Sequence, residues 1–147
     1  MKIGEIAASS DTPVDTIRYY EREGLLPAPA RTGANYRRYE QTHLVRLRFI
    51  RHCRHLDMSL DEVRELLAVC DNPDADPHAA DRVLDAHIGH VNQRMRELSA
   101  LQRQLKALRA RCAGTHGASD CGILATLAEP VTPAAQRTRH LGEVHGR

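Results

Sequence analysis

The sequence predicts a mainly α-helical protein: a winged helix-turn-helix domain, then a long dimerisation helix, then a short C-terminal loop and helix. Three observations support this prediction. Two short helical segments flank a tight turn at the N-terminus, a strand-like segment follows them, and an apolar heptad series runs through the second half of the chain. An aromatic content of 3% with no tryptophan argues against a large, deep core.

The N-terminal segment carries the signals of a helix-turn-helix and a wing. Apolar residues recur at helical spacing over residues 3–9. Thr12 is the expected N-cap of a second helix, which ends at Gly24. A turn over residues 31–35 then leads into residues 36–39, whose tyrosines and arginines favour a strand. This pattern is typical of a small β wing.

Three further helices are predicted. One covers residues 41–55, and Ser59 with Glu62 forms a capping box that opens the next. The third carries apolar residues from 84 to 112 in steps of three and four, which needs a partner helix, most simply from a second copy. The predicted parts are the winged domain with its connecting helices (1–71), the dimerisation helix (76–112), a loop with a short helix (113–128) and a flexible tail (129–147).

Charge is unevenly distributed along the chain. Residues 1–56 hold ten Lys or Arg against six acids, a net charge of +4, whereas residues 57–90 hold two against nine, a net charge of −7. A basic module followed by an acidic segment indicates that the first part meets a polyanion. Each polar residue alone fits a solvated face, but together on a winged helix-turn-helix they predict double-stranded DNA binding through Lys2, Thr16, Arg18, Tyr19, Tyr20, Tyr36, Arg37 and Arg38.

Other classes of protein find little support. No segment has the length or apolar character of a signal peptide or a membrane span, so we expect a cytoplasmic protein. In that compartment the four cysteines are expected to be thiols or metal ligands. The sequence lacks a nucleophile–base pattern, a glycine-rich phosphate loop and an HExxH motif, so we do not expect an enzyme.

Two cysteines near the end of the long helix are the first candidates for metal ligands. Cys112 falls on the apolar seam, and Cys121 follows an eight-residue loop and opens a short helix. Two thiolates on a closed loop suit soft or borderline ions such as Cd²⁺, Pb²⁺, Zn²⁺, Hg²⁺ or Cu⁺. The alternative is that Cys112 is a small core residue and Cys121 a chance surface thiol.

A family resemblance appears in residues 3–39. The strings TIRYYEREGLLP and NYRRY resemble the start of the mercury-resistance regulator (MerR) family, and the similarity extends to about residue 128. The resemblance implies an antiparallel coiled-coil homodimer that binds a palindromic promoter operator. It also implies that metal binding distorts the DNA so that RNA polymerase can start. Arg18, Tyr20, Tyr36 and Arg37 match the DNA-contacting positions of the family.

The metal loop most resembles the cadmium-, lead- and zinc-responsive branch. Members of that branch also carry a cysteine at the start of the long helix, where this chain has Asp76, Pro77 and His78. Cys70 or His78 is therefore a candidate third ligand, and we expect Cd²⁺ as inducer, with Pb²⁺ or Zn²⁺ as alternatives and Cu⁺ less favoured. Imidazoles also suit zinc, so candidate ligands of a second site are His87, His90, His140 and His145, with His116 as a further ligand in the loop.

Four alternatives stay open at this point. One is a Cu⁺-responsive regulator of the same family, whose loop is related but shorter. Another is a redox-sensing relative, although only two cysteines lie where iron–sulfur members cluster four. A small-molecule sensor would carry a large C-terminal domain, and a plain coiled-coil protein would lack the helix-turn-helix and wing.

Overall fold

The computed structural model describes residues 1–111 and 121–131. These residues form two compact units, of which the first is Met1–Val83 and the second begins at Leu84. The predictions for Cys112, His116, His140 and His145 lie outside the described residues, as does the predicted tail from residue 132 onward.

The described chain is mainly helical, as predicted. Its two short strands pair antiparallel, with Ala30 opposite Arg38 and Arg31 opposite Arg37. The predicted wing is therefore present, with strands of two residues each. The elements are α1 (Ile3–Ser10), α2 (Val14–Arg22), β1 (Ala30–Arg31), β2 (Arg37–Arg38), α3 (Gln41–His55), α4 (Leu60–Asp71), α5 (Ala79–Ala110) and α6 (Gly122–Leu127).

The turn between α1 and α2 differs from the prediction in one respect. Asp11 adopts a left-handed conformation (φ 49°) that ends α1, and α2 begins at Val14. Thr12 is not the N-cap of α2: its side chain is buried, and its hydroxyl donates to the Ser10 carbonyl at 3.1 Å. The hydroxyl thus closes the turn behind α1, and α2 begins without a side-chain capping bond.

An apolar core and hydrogen bonds from α3 hold the first unit together. Arg48 of α3 donates to the Ser9 carbonyl at 3.3 Å. Arg51 of α3 donates to the Asp11 carbonyl and also forms an ion pair with the Asp11 carboxylate. These bonds satisfy carbonyls at the end of α1. The buried apolar residues are Ile6, Ile17, Tyr20, Leu25, Leu26, Tyr39, Leu44, Leu47, Ile50, Cys53, Met58, Val63, Leu67 and Val83.

Arg46 of α3 joins two distant parts of this unit. Its Nε donates to the Leu25 carbonyl at 2.6 Å, just after α2, and its two terminal nitrogens bind the Asp71 carboxylate at 2.7 and 2.9 Å. The hydrogen bonds from Arg46 hold the pKa of Asp71 below its ordinary value. The exit of α2 and the end of α4 are therefore fixed by a single side chain.

The start of α4 confirms the predicted capping box. The Ser59 hydroxyl accepts from the Glu62 N–H at 3.1 Å, and the Glu62 carboxylate accepts from the Ser59 N–H at 2.9 Å. By contrast, α5 begins at Ala79, three residues later than predicted. The Asp76 carboxylate accepts from the His78 N–H and from Arg82, both at 2.9 Å, and so holds a turn before the helix.

The second unit consists of most of α5 and of α6. Along α5 the apolar side chains Leu84, Ile88, Val91, Met95 and Leu105 are exposed in the single chain. No described helix combines the length and the apolar character that crossing a membrane requires. The exposed stripe on α5 is instead spaced for packing against another helix.

The chain segments on either side of residues 112–120 lie close together. A Cβ built on Gly122 would come within 2.7 Å of the Arg111 carbonyl oxygen. The Arg111 guanidinium donates to the Thr126 hydroxyl at 3.0 Å, and that hydroxyl donates to the Gly122 carbonyl at 2.8 Å. The start of α6 is thus held against the residue that follows α5.

Candidate functional site

The outward face of α2 gathers three of the predicted DNA-binding residues. Arg18 is exposed, Thr16 and Tyr19 are half-buried, and Ile17 points into the core. Arg22 lies on the same face, with its guanidinium carbon 5.8 Å from the centroid of the Tyr19 ring. The face therefore offers cationic and hydroxyl donors of the kind that base edges and phosphates accept.

Tyr20 differs from its neighbours on α2. Only 9% of the residue is exposed, and it belongs to the apolar core. Burial raises the pKa of its phenol, which therefore stays protonated. The exposed part of Tyr20 lines a groove of about 400 Å³, together with Thr16, Tyr19, Arg22 and Arg54 among others. A contact between Tyr20 and DNA stays a prediction, and the structure restricts it to this groove.

The wing carries the second predicted group. Tyr36 is 71% exposed and Arg38 is exposed, whereas Arg37 is half-buried. The turn before them contains Asn35 in a left-handed conformation (φ 65°), and the Arg31 guanidinium donates to the Asn35 carbonyl at 3.3 Å. Lys2, at the start of α1, is also exposed.

Glu21 links the wing to α2, and the sequence analysis did not single it out. Its carboxylate accepts from the Tyr39 hydroxyl at 2.5 Å, and the Arg37 Nε lies 3.8 Å from its second oxygen. Burial of the phenol and its hydrogen bond to Glu21 raise the pKa of Tyr39 far above its ordinary value. The only sequence signal was one acid among the charged residues of α2, which also include Asp15 and two arginines, so it did not stand out.

The described cysteines fall into different environments. Cys53 is buried in the core, and burial raises the pKa of its thiol. Cys70 is exposed and is therefore not a buried core thiol. Cys121 is half-buried and immediately precedes α6, as predicted.

The histidines considered as ligands also differ. His78 is exposed, and its Nδ1 lies 3.5 Å from the Asp81 carboxylate. His87 is only 8% exposed, whereas His90 is exposed. The two rings are neighbours on α5, with centroids 6.4 Å apart. A metal-binding role for these histidines stays a prediction.

The donor chemistry around residues 111–122 fits a soft metal ion. Cys112 directly follows Arg111 and Cys121 directly precedes Gly122, and the backbones of Arg111 and Gly122 are in contact. The described neighbours of the two cysteines in the chain are therefore held together. Two thiolates suit soft or borderline ions.

The fold and the two polar faces define a winged helix-turn-helix DNA-binding protein. Residues 1–69 match the model of the MerR HTH family of regulatory proteins, and residues 44–108 match the model of the MerR DNA-binding family. The chain belongs to the MerR family of transcriptional regulators, and this confirms the resemblance seen in the sequence. The matched proteins are regulators and not enzymes.

Individual relatives agree with this assignment. The chain is 45% identical over 111 residues to the HTH-type transcriptional regulator ZntR homolog of Haemophilus influenzae, a match over 76% of this chain and 82% of that protein. The crystal structure of PbrR691 from Ralstonia metallidurans CH34 in complex with lead(II) is similar with a TM-score of 0.79 and 48% identity, over 87% of this chain and 99% of that one. MerR from Bacillus megaterium MB1 in complex with mercury(II) is similar with a TM-score of 0.72 and 30% identity, over 88% and 100% of the two chains.

Proposed function

We propose that this protein is a metal-responsive transcription activator of metal-resistance genes, with Cd²⁺ as inducer and Pb²⁺ or Zn²⁺ as alternatives. The observation that carries the proposal is the similarity to PbrR691, which binds lead(II) and matches this chain over nearly its whole length. The contact between Arg111 and Gly122 supports it, because these two residues are the chain neighbours of Cys112 and Cys121, which carry the two soft ligands of the proposed site.

The DNA-binding part of the proposal rests on the faces of α2 and the wing. Arg18 and Thr16 on α2, with Tyr36 and Arg37 on the wing, supply donors for one half-site. The exposed apolar stripe of α5 supports a homodimer with a second copy in an antiparallel coiled coil. Such a dimer would bind a palindromic operator, whose two half-sites mirror the symmetry of the protein.

The regulatory part of the proposal concerns the promoter. Bending or untwisting an operator duplex costs on the order of a few kcal/mol, which a small number of phosphate contacts can supply. Metal binding would favour the distorted form, and RNA polymerase would then start transcription. A regulator of this kind acts where the bacterial chromosome lies, in the cytoplasm.

The metal site is proposed to consist of Cys112 and Cys121, with Cys70 or His78 as candidate third ligand. Both candidates are exposed and so are accessible to an ion. A mixed sulfur and nitrogen site would favour Zn²⁺ or Cd²⁺ over Pb²⁺. His87, His90, His140 and His145 are proposed as a second, zinc-type site.

The test is a titration of reduced, metal-free protein with Cd²⁺, Pb²⁺, Zn²⁺ and Cu⁺, following thiolate-to-metal absorption. We expect tight saturation by a divalent ion, lost in both Cys112→Ser and Cys121→Ser. Cys53→Ser, which removes a buried thiol of the core, is the matched control and should keep the absorption band. A normal band in either Cys112→Ser or Cys121→Ser would overturn the site.

A Cu⁺-responsive regulator is the second candidate, and one observation favours it. Pro77 and the exposed His78 occupy the place where a third cysteine is expected in the divalent branch. Two thiolates alone are sufficient for a monovalent soft ion. Saturation by Cu⁺ with no response to the divalent ions would establish this candidate. In either case, Cys70→Ser and His78→Ala separately report whether a third ligand contributes.

A further inference from the structure

An acidic side chain lies at the junction of the two proposed DNA-contacting elements. Glu21 belongs to α2, and its side chain is 10% exposed. One of its oxygens accepts from the Tyr39 hydroxyl at 2.5 Å, and the other lies 3.8 Å from Nε of Arg37 on β2. Tyr39 is itself 1% exposed, so this junction is part of the core of the first unit.

The sign of the charge makes this position unexpected. A carboxylate beside a phosphate-binding arginine repels the DNA backbone and competes for the guanidinium, so it weakens binding to any duplex. Neutralising it would raise affinity for DNA of every sequence. A carboxylate that lowers general DNA affinity at this junction needs another physical role. The contacts of Glu21 indicate that role.

Those contacts fix the wing relative to α2. β1 and β2 have only two residues each, and no further strand of the described residues joins their sheet, so the ladder alone gives the wing little rigidity. Arg37 lies in β2, and Tyr39 directly follows this strand. The Arg37 guanidinium and the Tyr39 hydroxyl both contact the Glu21 carboxylate of α2. Arg37 is thereby held at a defined distance from the α2 face that carries Arg18.

We propose that Glu21 is a positioning residue that determines operator specificity by holding Arg37 and the wing at a fixed setting relative to α2. This inference rests on the proposed DNA contacts of Arg18 and Arg37. Specificity depends on the contacts of both elements matching one DNA shape at once, whereas general affinity depends mainly on charge. Glu21 therefore lowers the affinity of the protein for DNA of any sequence and raises its discrimination between operator sequences.

The experiment compares affinities for two duplexes in the full-length protein. One is the duplex that the wild-type protein enriches from a randomised pool, and the other is a scrambled duplex of equal length and composition. We expect Glu21→Gln, which still accepts from Tyr39 but loses the charge that holds Arg37, to raise affinity for the scrambled duplex. We expect the ratio of the two affinities to fall by about tenfold.

Two further variants separate positioning from charge. Glu23→Gln removes the acid that directly follows α2, which pairs with Arg64 at 3.6 Å and, within the described residues, forms no hydrogen bond or ion pair with the wing. It should raise both affinities by the same small factor. Tyr39→Phe removes the hydroxyl without changing any charge, and it should lower the ratio without raising affinity for the scrambled duplex.

Four results would overturn the inference. Equal rises in both affinities for Glu21→Gln, as in Glu23→Gln, would show an electrostatic effect alone. Equal losses accompanied by a lower melting temperature would show that Glu21 only stabilises the fold. A wild-type protein that enriches no duplex would overturn the proposed DNA binding and this inference with it, whereas an unchanged ratio with normal wild-type binding would overturn this inference alone.

Discussion

At the scale of single residues, the basic side chains of the first unit serve two purposes. Four arginines of α3 donate to backbone carbonyls within the unit: Arg46 to Leu25, Arg48 to Ser9, Arg51 to Asp11 and Arg54 to Met58. The net charge of +4 predicted a polyanion partner, but charge counting cannot tell a structural arginine from a DNA-binding one. That distinction needs the three-dimensional contacts, as does the role of Glu21.

Arg18 is the clearest candidate for a DNA-contacting cation on α2. We expect Arg18→Ala to weaken operator binding at moderate salt by about 1–3 kcal/mol, because it removes a charged donor from the exposed face. A gel-shift titration at several salt concentrations measures this. Arg64→Ala, which removes an exposed arginine from α4, is the control and should have a much smaller effect. Equal effects of the two variants would remove Arg18 from the interface.

The bond between Arg46 and Asp71 predicts a pH dependence. Because Arg46 lowers the pKa of Asp71 in the folded state, its stabilising effect is present above about pH 4 and is lost as pH falls further. The Asp71 side chain is 55% exposed, so solvent screening limits the effect. We expect Asp71→Asn to lower the free energy of unfolding by about 0.5 kcal/mol at pH 6.

Denaturant unfolding at pH 6 and pH 3 checks this expectation. The difference between wild type and Asp71→Asn should shrink at the lower pH, because acidification favours protonation of the wild-type carboxylate and so weakens its bond to Arg46. Asp74→Asn is a suitable control. Asp74 lies in the turn after α4, and within the described residues Arg46 pairs with Asp71 and not with Asp74. A difference that grew on acidification would contradict the assigned direction.

At the scale of the elements, the sequence predicted those that have local signals. The bounds of α3 and the capping box of α4 agree with the structure because periodicity and a Ser-x-x-Glu pattern determine them over a few residues. The start of α5 and the role of Thr12 were wrong. In both cases a polar side chain binds a nearby backbone group in a turn, a contact that competes with helix capping and has no distinct sequence pattern.

The capping box predicts a measurable loss of stability. Ser59→Ala removes the hydroxyl that accepts from the Glu62 N–H, so we expect the free energy of unfolding to fall by about 1 kcal/mol. Thermal or urea unfolding gives this value. Ser9→Ala changes the same residue type at an exposed position within α1, and it should alter stability by less than about 0.5 kcal/mol. Equal losses of unfolding free energy in Ser59→Ala and Ser9→Ala would mean that the Ser59 cap does not stabilise the fold.

At the scale of the whole molecule, the main feature is an apolar stripe that the single chain leaves exposed. The heptad spacing predicted a long helix that needs a partner, and the exposed side chains of Leu84, Ile88 and Met95 agree with that prediction. The loop around Cys112 was predicted from residue types and family resemblance, and it lies outside the described residues. The identity of the metal depends on the full ligand set and its geometry, which residue types alone do not determine.

The stripe predicts that a charge at its centre disrupts the dimer. Val91 is exposed in the single chain and lies on the apolar seam, so Val91→Lys should place two like charges at or near the interface of two copies. We expect the dissociation constant of the dimer to rise by at least about a hundredfold, measured by sedimentation equilibrium. Gln93→Lys places the same charge off the seam and should leave the dimer intact. An intact Val91→Lys dimer would place the interface elsewhere.

The contact between Gly122 and the Arg111 carbonyl has a consequence for the affinity of the proposed metal site. Joining the ends of a nine-residue segment costs chain entropy, on the order of 2 kcal/mol from the logarithmic dependence on length. Here the Arg111–Thr126 hydrogen bond and the packing of Gly122 join those ends during folding. If Cys112 and Cys121 bind the ion as proposed, this part of the entropy cost is met on folding and not on metal binding, as in a synthetic macrocycle whose ring is closed before the metal is added.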